Sequence, residues 1–302
     1  WNLFREFGEF DVHDRTPSTQ IIERARGAQI LLTNKTVLSA ETLANLPDLL
    51  YIGVLATGYN VVDLGAASAR GIIVTNVPAY STRSVAQMTF ALLLELTQRV
   101  AMHSESVHQG KWGRCPDFCF WDQPLTELDG RIMGLMGYGN IGRAVGKIAD
   151  AFGMKQIVYS PRPNTDSFPE IEWVSLEDLF RRSDVLSLHC PLTDENQHVV
   201  NADRIRLMKS TAYLINTSRG PLVDPVALAD ALNENRIAGA GLDVLEIEPP
   251  VTGNPLVGVP NCLITPHIGW ATKFARQRLL EVAAGNVEAF LKKKPINVVN
   301  GI

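Results

Sequence analysis

The sequence predicts an α/β protein made of two doubly wound parallel-sheet domains. Short β-branched or apolar runs alternate with longer helical patterns along nearly the whole chain. Its 302 residues, 46% hydrophobic and 20% charged, suit about two domains with cores of their own. A third observation is a glycine loop, Gly137-Tyr138-Gly139-Asn140-Ile141-Gly142, set between an apolar strand-like run and a helical pattern.

In the first third, residues 10–13, 29–33, 49–56 and 71–75 read as strands. Helical patterns lie between them at 18–27, with Ser18 as the expected N-cap, and at 62–70. The run 85–100 is apolar on every side, which suits a helix packed between two layers. Residues 109–128 break the alternation with Trp112, Phe118, Phe120 and Trp121, either folded over their own domain or forming a subunit contact. Strands are then expected at 131–136, 156–160, 184–189, 211–216, 238–244 and 262–265, with a last helix over 272–293. Trp1, Leu3, Phe4 and Phe7 recur at helical spacing with no cap before them, so an upstream segment is expected to precede Trp1.

Composition excludes several classes of function. The 28 Lys and Arg against 32 Asp and Glu give a net charge of −4, and the Lys292-Lys293-Lys294 cluster reads as a solvated helix end, so nucleic acid is not an expected partner. No apolar run has the roughly 20 residues of a membrane helix, and no membrane partner is expected. The cysteines at 115, 119, 190 and 262 suit a reducing, cytoplasmic compartment. Cys115 and Cys119 lack a second ligand pair at zinc spacing, so no metal is expected.

The glycine loop carries the first chemical signal. Gly137 permits a tight turn, Gly139 lets a pyrophosphate approach the backbone, and Gly142 allows close helix–strand packing; the first helical N–H groups then face phosphate. The next strand ends at Ser160 with Arg162 beyond it, and no carboxylate occurs before Asp166. A hydroxyl and a guanidinium suit a 2′-phosphate, so NADPH is the expected preference between NAD(P)H forms. The alternative is a solvated Arg162 with NAD held by other contacts.

Three further residues follow predicted strands: Arg219, Glu248 and His267. Carboxyl ends of parallel strands border the ligand crevice, so all three are expected to converge there. Arg219 can bind an α-carboxylate bidentately and polarise the neighbouring C2 oxygen. His267 can exchange a proton with that oxygen, and Glu248 can orient the imidazole and favour its charged form.

These segments resemble the D-2-hydroxyacid dehydrogenase family over nearly the whole chain. The resemblance rests on Ala56-Thr57-Gly58-Tyr59-Asn60, Asn76-Val77-Pro78-Ala79-Tyr80-Ser81-Thr82, the glycine loop, His189-Cys190-Pro191-Leu192-Thr193, Asn216-Thr217-Ser218-Arg219-Gly220, Gly241-Leu242-Asp243-Val244 and Thr265-Pro266-His267-Ile268-Gly269. It implies catalytic roles for Arg219, Glu248 and His267, with the Thr57 and Gly58 N–H groups receiving the substrate carboxylate. Cys190, Pro191, Thr193, Thr217, Ser218, Asp243, His267 and Gly269 are implied to line the cofactor with the glycine loop, Ser160 and Arg162, Asp243 and the Thr217 backbone facing the nicotinamide amide. Glu248 sets the chain apart from the similar formate-oxidising branch, which carries Gln there.

Within the family, the Val77–Thr82 segment and Asp117-Phe118-Cys119-Phe120-Trp121 are most similar to glycerate dehydrogenases, also called hydroxypyruvate reductases. The resemblance implies two Rossmann-like or flavodoxin-like domains around a cleft, a homodimer, and Trp121 reaching a partner's site. The expected substrate domain is 1–98 with 273–302, and the NAD(P)-binding domain is 99–272. The expected reaction is reduction of hydroxypyruvate or glyoxylate, small 2-oxo acids, to D-glycerate or glycolate. D-Lactate or D-3-phosphoglycerate dehydrogenase is the alternative, with a nucleotide-sensing corepressor as a reading from another class.

Overall fold

The computed structural model describes residues 1–301 and divides the chain into two units, Trp1–Ser81 with Ala271–Ile302, and Thr82–Trp270. In the first, β1 (Ile30–Thr33), β2 (Tyr51–Val54) and β3 (Ile73–Thr75) form a parallel sheet in that order. β2 is central and buried at every position, as its unbroken apolar run requires. The helix Leu64–Ala69 starts at Asp63, whose Oδ1 accepts the Ala66 N–H at 2.9 Å.

The end of the chain returns to this unit. The helix Lys273–Leu291 begins at Thr272, whose hydroxyl accepts the Ala275 N–H, and packs on β2, with Phe290 4.8 Å from the Tyr51 ring. The tail then runs along β3: Val299 N–H donates to Val74 O at 2.9 Å, and the Asn300 amide bonds Val74 N and Ile72 O. Residues 10–13, expected as a strand, lie outside any sheet; Phe10 instead stacks on Phe4 at 5.6 Å and tilts against Trp1. Ser18 does not cap: the turn Ser18–Gln20 starts from Pro17, and the helix Ile21–Arg24 follows.

The second unit holds seven parallel strands: β4 (Ile132–Met136), β5 (Lys155–Tyr159), β6 (Glu172–Trp173), β7 (Val185–Leu188), β8 (Tyr213–Asn216), β9 (Gly239–Leu242) and β10 (Cys262–Ile264), ordered β10-β9-β8-β7-β4-β5-β6. Strand order reverses between β4 and β7, the switch point at which open α/β sheets bind ligands. Alternate residues feed two cores. Met136, Leu188, Leu214 and Leu242 pack on one face, Leu135, Val158 and Ile215 on the other. Each such buried aliphatic side chain contributes about 1.5–3 kcal/mol.

The domain boundary falls at 81/82, whereas the sequence reading set it at 98/99. The reason is the helix Thr82–Gln98, which packs on β8, β9 and the helix Asn140–Ala151. A Cβ at Gly241 would sit 2.9 Å from Leu92 Cβ, and one at Gly239 3.1 Å from Leu96 Cδ2, so the Gly-Ala-Gly of β9 admits the helix closely. The helix ends at Arg99, in the left-handed region at φ 52, and a second helix, Val100–His108, follows.

Candidate active site

One row of register partners organises the larger unit. Tyr159, Met136, Leu188, Asn216, Leu242 and Ile264 pair in sequence across β5, β4, β7, β8, β9 and β10. The next residue on each strand is Ser160, Gly137, His189, Thr217, Asp243 and Thr265. Every segment of this unit singled out for chemistry, Trp121 excepted, therefore leaves the same sheet edge.

At the centre of that edge, the glycine loop meets geometric demands. Gly137 has φ 98, and a Cβ there would lie 2.9 Å from Cys190 N and the His189 carbonyl. A Cβ on Gly142 would strike the Gly137 carbonyl oxygen. Gly139, which precedes the helix Asn140–Ala151, has open space where its Cβ would be. A tight loop, an open approach and unsatisfied N–H groups at a helix start fit a dinucleotide pyrophosphate. Tyr138 packs edge-on against Phe168 and Trp173, and burial raises its hydroxyl pKa; Ile141 packs into the core, and Asn140 Oδ1 accepts from Arg143 at 2.6 Å.

On the β5 side, Ser160 Oγ accepts the Arg162 N–H at 3.3 Å and donates to Arg162 O at 3.1 Å. That turn holds the two residues together and leaves the Arg162 side chain exposed, with no ion pair among the described residues. On the β7 side, Cys190 O accepts from Ser218 Oγ at 2.6 Å, which joins the β7 and β8 loops. Burial pushes the Cys190 thiol up to about 11. Pro191 O and Thr193 N–H are both held by the Asn196 side chain, at 2.8 Å each. Beneath the glycine loop, half-buried His189 bonds Ser187 Oγ at 2.9 Å, and desolvation drops its pKa to about 3, so the ring is neutral.

The β8 loop is braced by Asn216, whose amide donates to Arg219 O at 2.8 Å and accepts the Ser218 N–H at 3.0 Å. Thr217 Oγ1 lies 3.1 Å from Thr89 Oγ1, and the Arg219 guanidinium bonds Ser218 O at 2.7 Å with its side chain otherwise exposed. A Cβ on Gly220 would collide with the Leu245 carbonyl, so the Arg219 turn lies directly on the backbone leading to Glu248. Sequence reading missed Asn216 and Gly220 as individuals. Asn216 was legible as an Asn two residues before a serine at a strand end; Gly220 had no local signal, because its neighbour is 25 residues away.

Asp243, 2% exposed, shapes the last loop. Its Oδ1 accepts Thr265 Oγ1 at 2.6 Å and Ile268 N–H at 2.9 Å, and its Oδ2 accepts Gly269 N–H at 2.7 Å. A Cβ on Gly269 would press within 2.9 Å of that Oδ2. The turn so made holds His267 at φ 54, a left-handed conformation that histidine tolerates better than most residues. Its Nδ1 lies 2.6 Å from Glu248 Oε2, and Glu248 Oε1 accepts the Leu245 N–H at 3.0 Å. With Glu248 ionised, Nδ1 carries the proton it donates and Nε2 is left for exchange.

Two predicted groups belong to other elements. In the smaller unit, Thr57 and Gly58 follow β2; Thr57 Oγ1 donates to Val77 O at 3.0 Å, and Thr57 O accepts from Asn76 at 2.8 Å. The N–H groups of Thr57 and Gly58 have no acceptor among the described residues. Trp121 stands 67% exposed in the aromatic loop, where Trp112 donates to Phe118 O at 2.9 Å and Lys111 lies 4.9 Å from the Phe120 ring centre.

Residues 90–269 match the family described as D-isomer specific 2-hydroxyacid dehydrogenase, NAD binding domain. A hydroxypyruvate reductase of Blautia hydrogenotrophica is 48% identical over 99% of this chain and 94% of that protein. A glycerate dehydrogenase of Methylorubrum extorquens is 41% identical over 99% and 93%. The solved structure of an acyclic imino acid reductase in complex with NADPH and D-Arg superposes with a TM-score of 0.87 at 32% identity, covering 99% of this chain and 94% of that one. The chain belongs to the D-isomer specific 2-hydroxyacid dehydrogenase family, and is a nicotinamide-dependent oxidoreductase.

Proposed function

We propose that this chain reduces hydroxypyruvate to D-glycerate and glyoxylate to glycolate, with NADPH preferred over NADH. The observation that carries the chemistry is the 2.6 Å contact between His267 Nδ1 and Glu248 Oε2, held beside the turn bearing Arg219. The names of the relatives support the substrate class.

The proposed glycine-loop contact is to the pyrophosphate, with Ser160 and Arg162 taking the adenosine 2′-phosphate. Cys190, Pro191, Thr193, Thr217, Ser218, Asp243 and Gly269 line the remainder of the cofactor in this reading. A bound reduced nicotinamide supplies the hydride. Arg219 binds the 2-oxo acid through two parallel hydrogen bonds and draws charge onto the C2 oxygen. His267 gives its Nε2 proton to that oxygen, and Glu248 stabilises the imidazolium before transfer. The acceptor-free N–H groups of Thr57 and Gly58 suit the substrate carboxylate.

We assign the larger unit to the cofactor and the smaller to substrate, and place the protein in the cytoplasm as a homodimer. The exposed Phe118 and Trp121 of the aromatic loop, 89% and 67% accessible, support a subunit contact there. Initial rates with hydroxypyruvate, glyoxylate, pyruvate and phosphohydroxypyruvate, each with both cofactors, test the reading. Highest kcat/KM for hydroxypyruvate or glyoxylate with NADPH is expected. Failure of all combinations overturns the activity, and a strong NADH preference overturns the cofactor assignment.

A further inference from the structure

A second histidine–carboxylate pair shares the segment that carries Glu248. His198 Nε2 lies 2.8 Å from Glu246 Oε1, with the side chains 37% and 31% exposed. Glu246 is two residues before Glu248, on the segment whose Leu245 N–H is bound by Glu248 Oε1. The His198 main chain faces the other loop, its N–H donating to Pro221 O at 2.8 Å, two residues beyond Arg219. Main-chain bonds extend that tie: Val200 N–H donates to Leu222 O at 3.0 Å, and Asp224 N–H to Val200 O at 2.9 Å. One residue thus holds the Arg219 turn with its backbone and the Glu248 segment with its ring.

His198 is placed for this by an uncommon conformation. Its φ of 50 lies in the left-handed region, a conformation in which His and Asn are enriched. The two loops already touch where Gly220 admits the Leu245 carbonyl. A lateral contact of that kind sets separation; the directional Nε2–Oε1 bond sets how the 245–248 segment is turned.

We propose that His198 is a positioning residue for the reaction: through Glu246 it holds the 245–248 segment in the orientation that keeps the Glu248 carboxylate on His267. The proposal rests on the roles given above to Glu248 and His267. It requires only the hydrogen-bond geometry of His198.

Two substitutions separate this from a general structural role. His198→Asn keeps a residue suited to left-handed backbone but is one atom too short for Glu246, whereas His198→Gln puts an amide N–H near the place of Nε2. In His198→Asn, kcat with hydroxypyruvate and NADPH is expected to fall about tenfold, with NADPH affinity within twofold of wild type. His198→Gln is expected to recover kcat to within threefold. Hydrogen exchange of the Leu245 amide, read by NMR on the cofactor-free protein, should accelerate at least tenfold in His198→Asn and not in His198→Gln. Glu246→Ala removes the same contact without touching residue 198 and should match His198→Asn in both readouts, which keeps the test intact if one variant fails to fold. Unchanged Leu245 exchange in either folded contact-removing variant, or equal impairment of the Asn and Gln variants, overturns the proposal. If the wild type turns over none of the four acids, the exchange measurement still decides the positioning claim, and the failed reading is the activity.

Discussion

Replacing Glu248 by Gln removes a charge while keeping the side chain's size, and its effect follows from the geometry of one pair. His267 Nδ1 and Glu248 Oε2 are 2.6 Å apart, with the side chains 31% and 33% exposed. For charge centres about 4 Å apart, the carboxylate stabilises an imidazolium by about 4 kcal/mol at an effective dielectric constant near ~20, and by about 1 kcal/mol in bulk water. Screening at this exposure places the loss at about 2 kcal/mol. The amide also has one acceptor oxygen where the carboxylate uses two, for His267 and for Leu245 N–H, and losing one such bond adds about 1 kcal/mol. A total of about 2–3 kcal/mol corresponds to a fall of about 30- to 150-fold in kcat/KM for hydroxypyruvate. Steady-state rates with NADPH, alongside cofactor affinity from nicotinamide fluorescence, measure it. A folded variant with unchanged cofactor affinity and kcat/KM within threefold of wild type would rule out this role for the Glu248 carboxylate.

Other consequences follow from neighbouring parts of the sheet edge. Ser160→Asp breaks the hydroxyl's donation to Arg162 O and sets a carboxylate beside the proposed 2′-phosphate site; like-charge repulsion of about 2 kcal/mol lowers the NADPH-to-NADH ratio of kcat/KM by about 30-fold, and an unchanged ratio contradicts the assignment. Gly142→Ala drives a Cβ into the Gly137 carbonyl, and overpacking of about 1–3 kcal/mol should weaken NADPH binding at least about fivefold by fluorescence titration. His189 gives a pH test: its folded pKa of about 3 lies below its ordinary 6.5, so below pH 6.5 the unfolded chain binds the proton that the native chain refuses. Its contribution is complete above that value and lost as pH falls towards 3, by about 2 kcal/mol between pH 6.5 and 5. Urea unfolding of wild type and His189→Gln at those two pH values should show the difference, and equal pH dependence would contradict it.

How far the sequence could be read depended on the range of each interaction. The middle of the larger sheet was legible because β4, β7, β8 and β9 are buried and read as apolar runs, and the glycine loop because a local turn demands it; the two-residue edge strand β6, exposed at Glu172, carries no such run and was not expected. Arg219, Glu248 and His267 were singled out from their places after strands, and the structure sets the last two in direct contact. Residues 10–13 misled because an alternating short run has no strand partner here and Phe10 joins an aromatic cluster instead. The domain boundary misled because an apolar helix declares that it is buried, and not against which sheet. Asp243 was expected to face the cofactor; the structure shows it holding the His267 turn through three hydrogen bonds, from atoms more than 20 residues away that no local pattern marks. The His198–Glu246 contact spans 48 residues and joins two loops of unremarkable composition, so no local pattern marks it.

The step proposed for His267 is proton exchange with the C2 oxygen, while the rest of the edge binds and orients. Its most direct test is the single-turnover rate of hydroxypyruvate reduction by NADPH-saturated wild type and His267→Ala. The expected result is a loss of about 100- to 10,000-fold in that rate, with NADPH affinity preserved. A His267→Ala rate within a few fold of wild type would contradict the account.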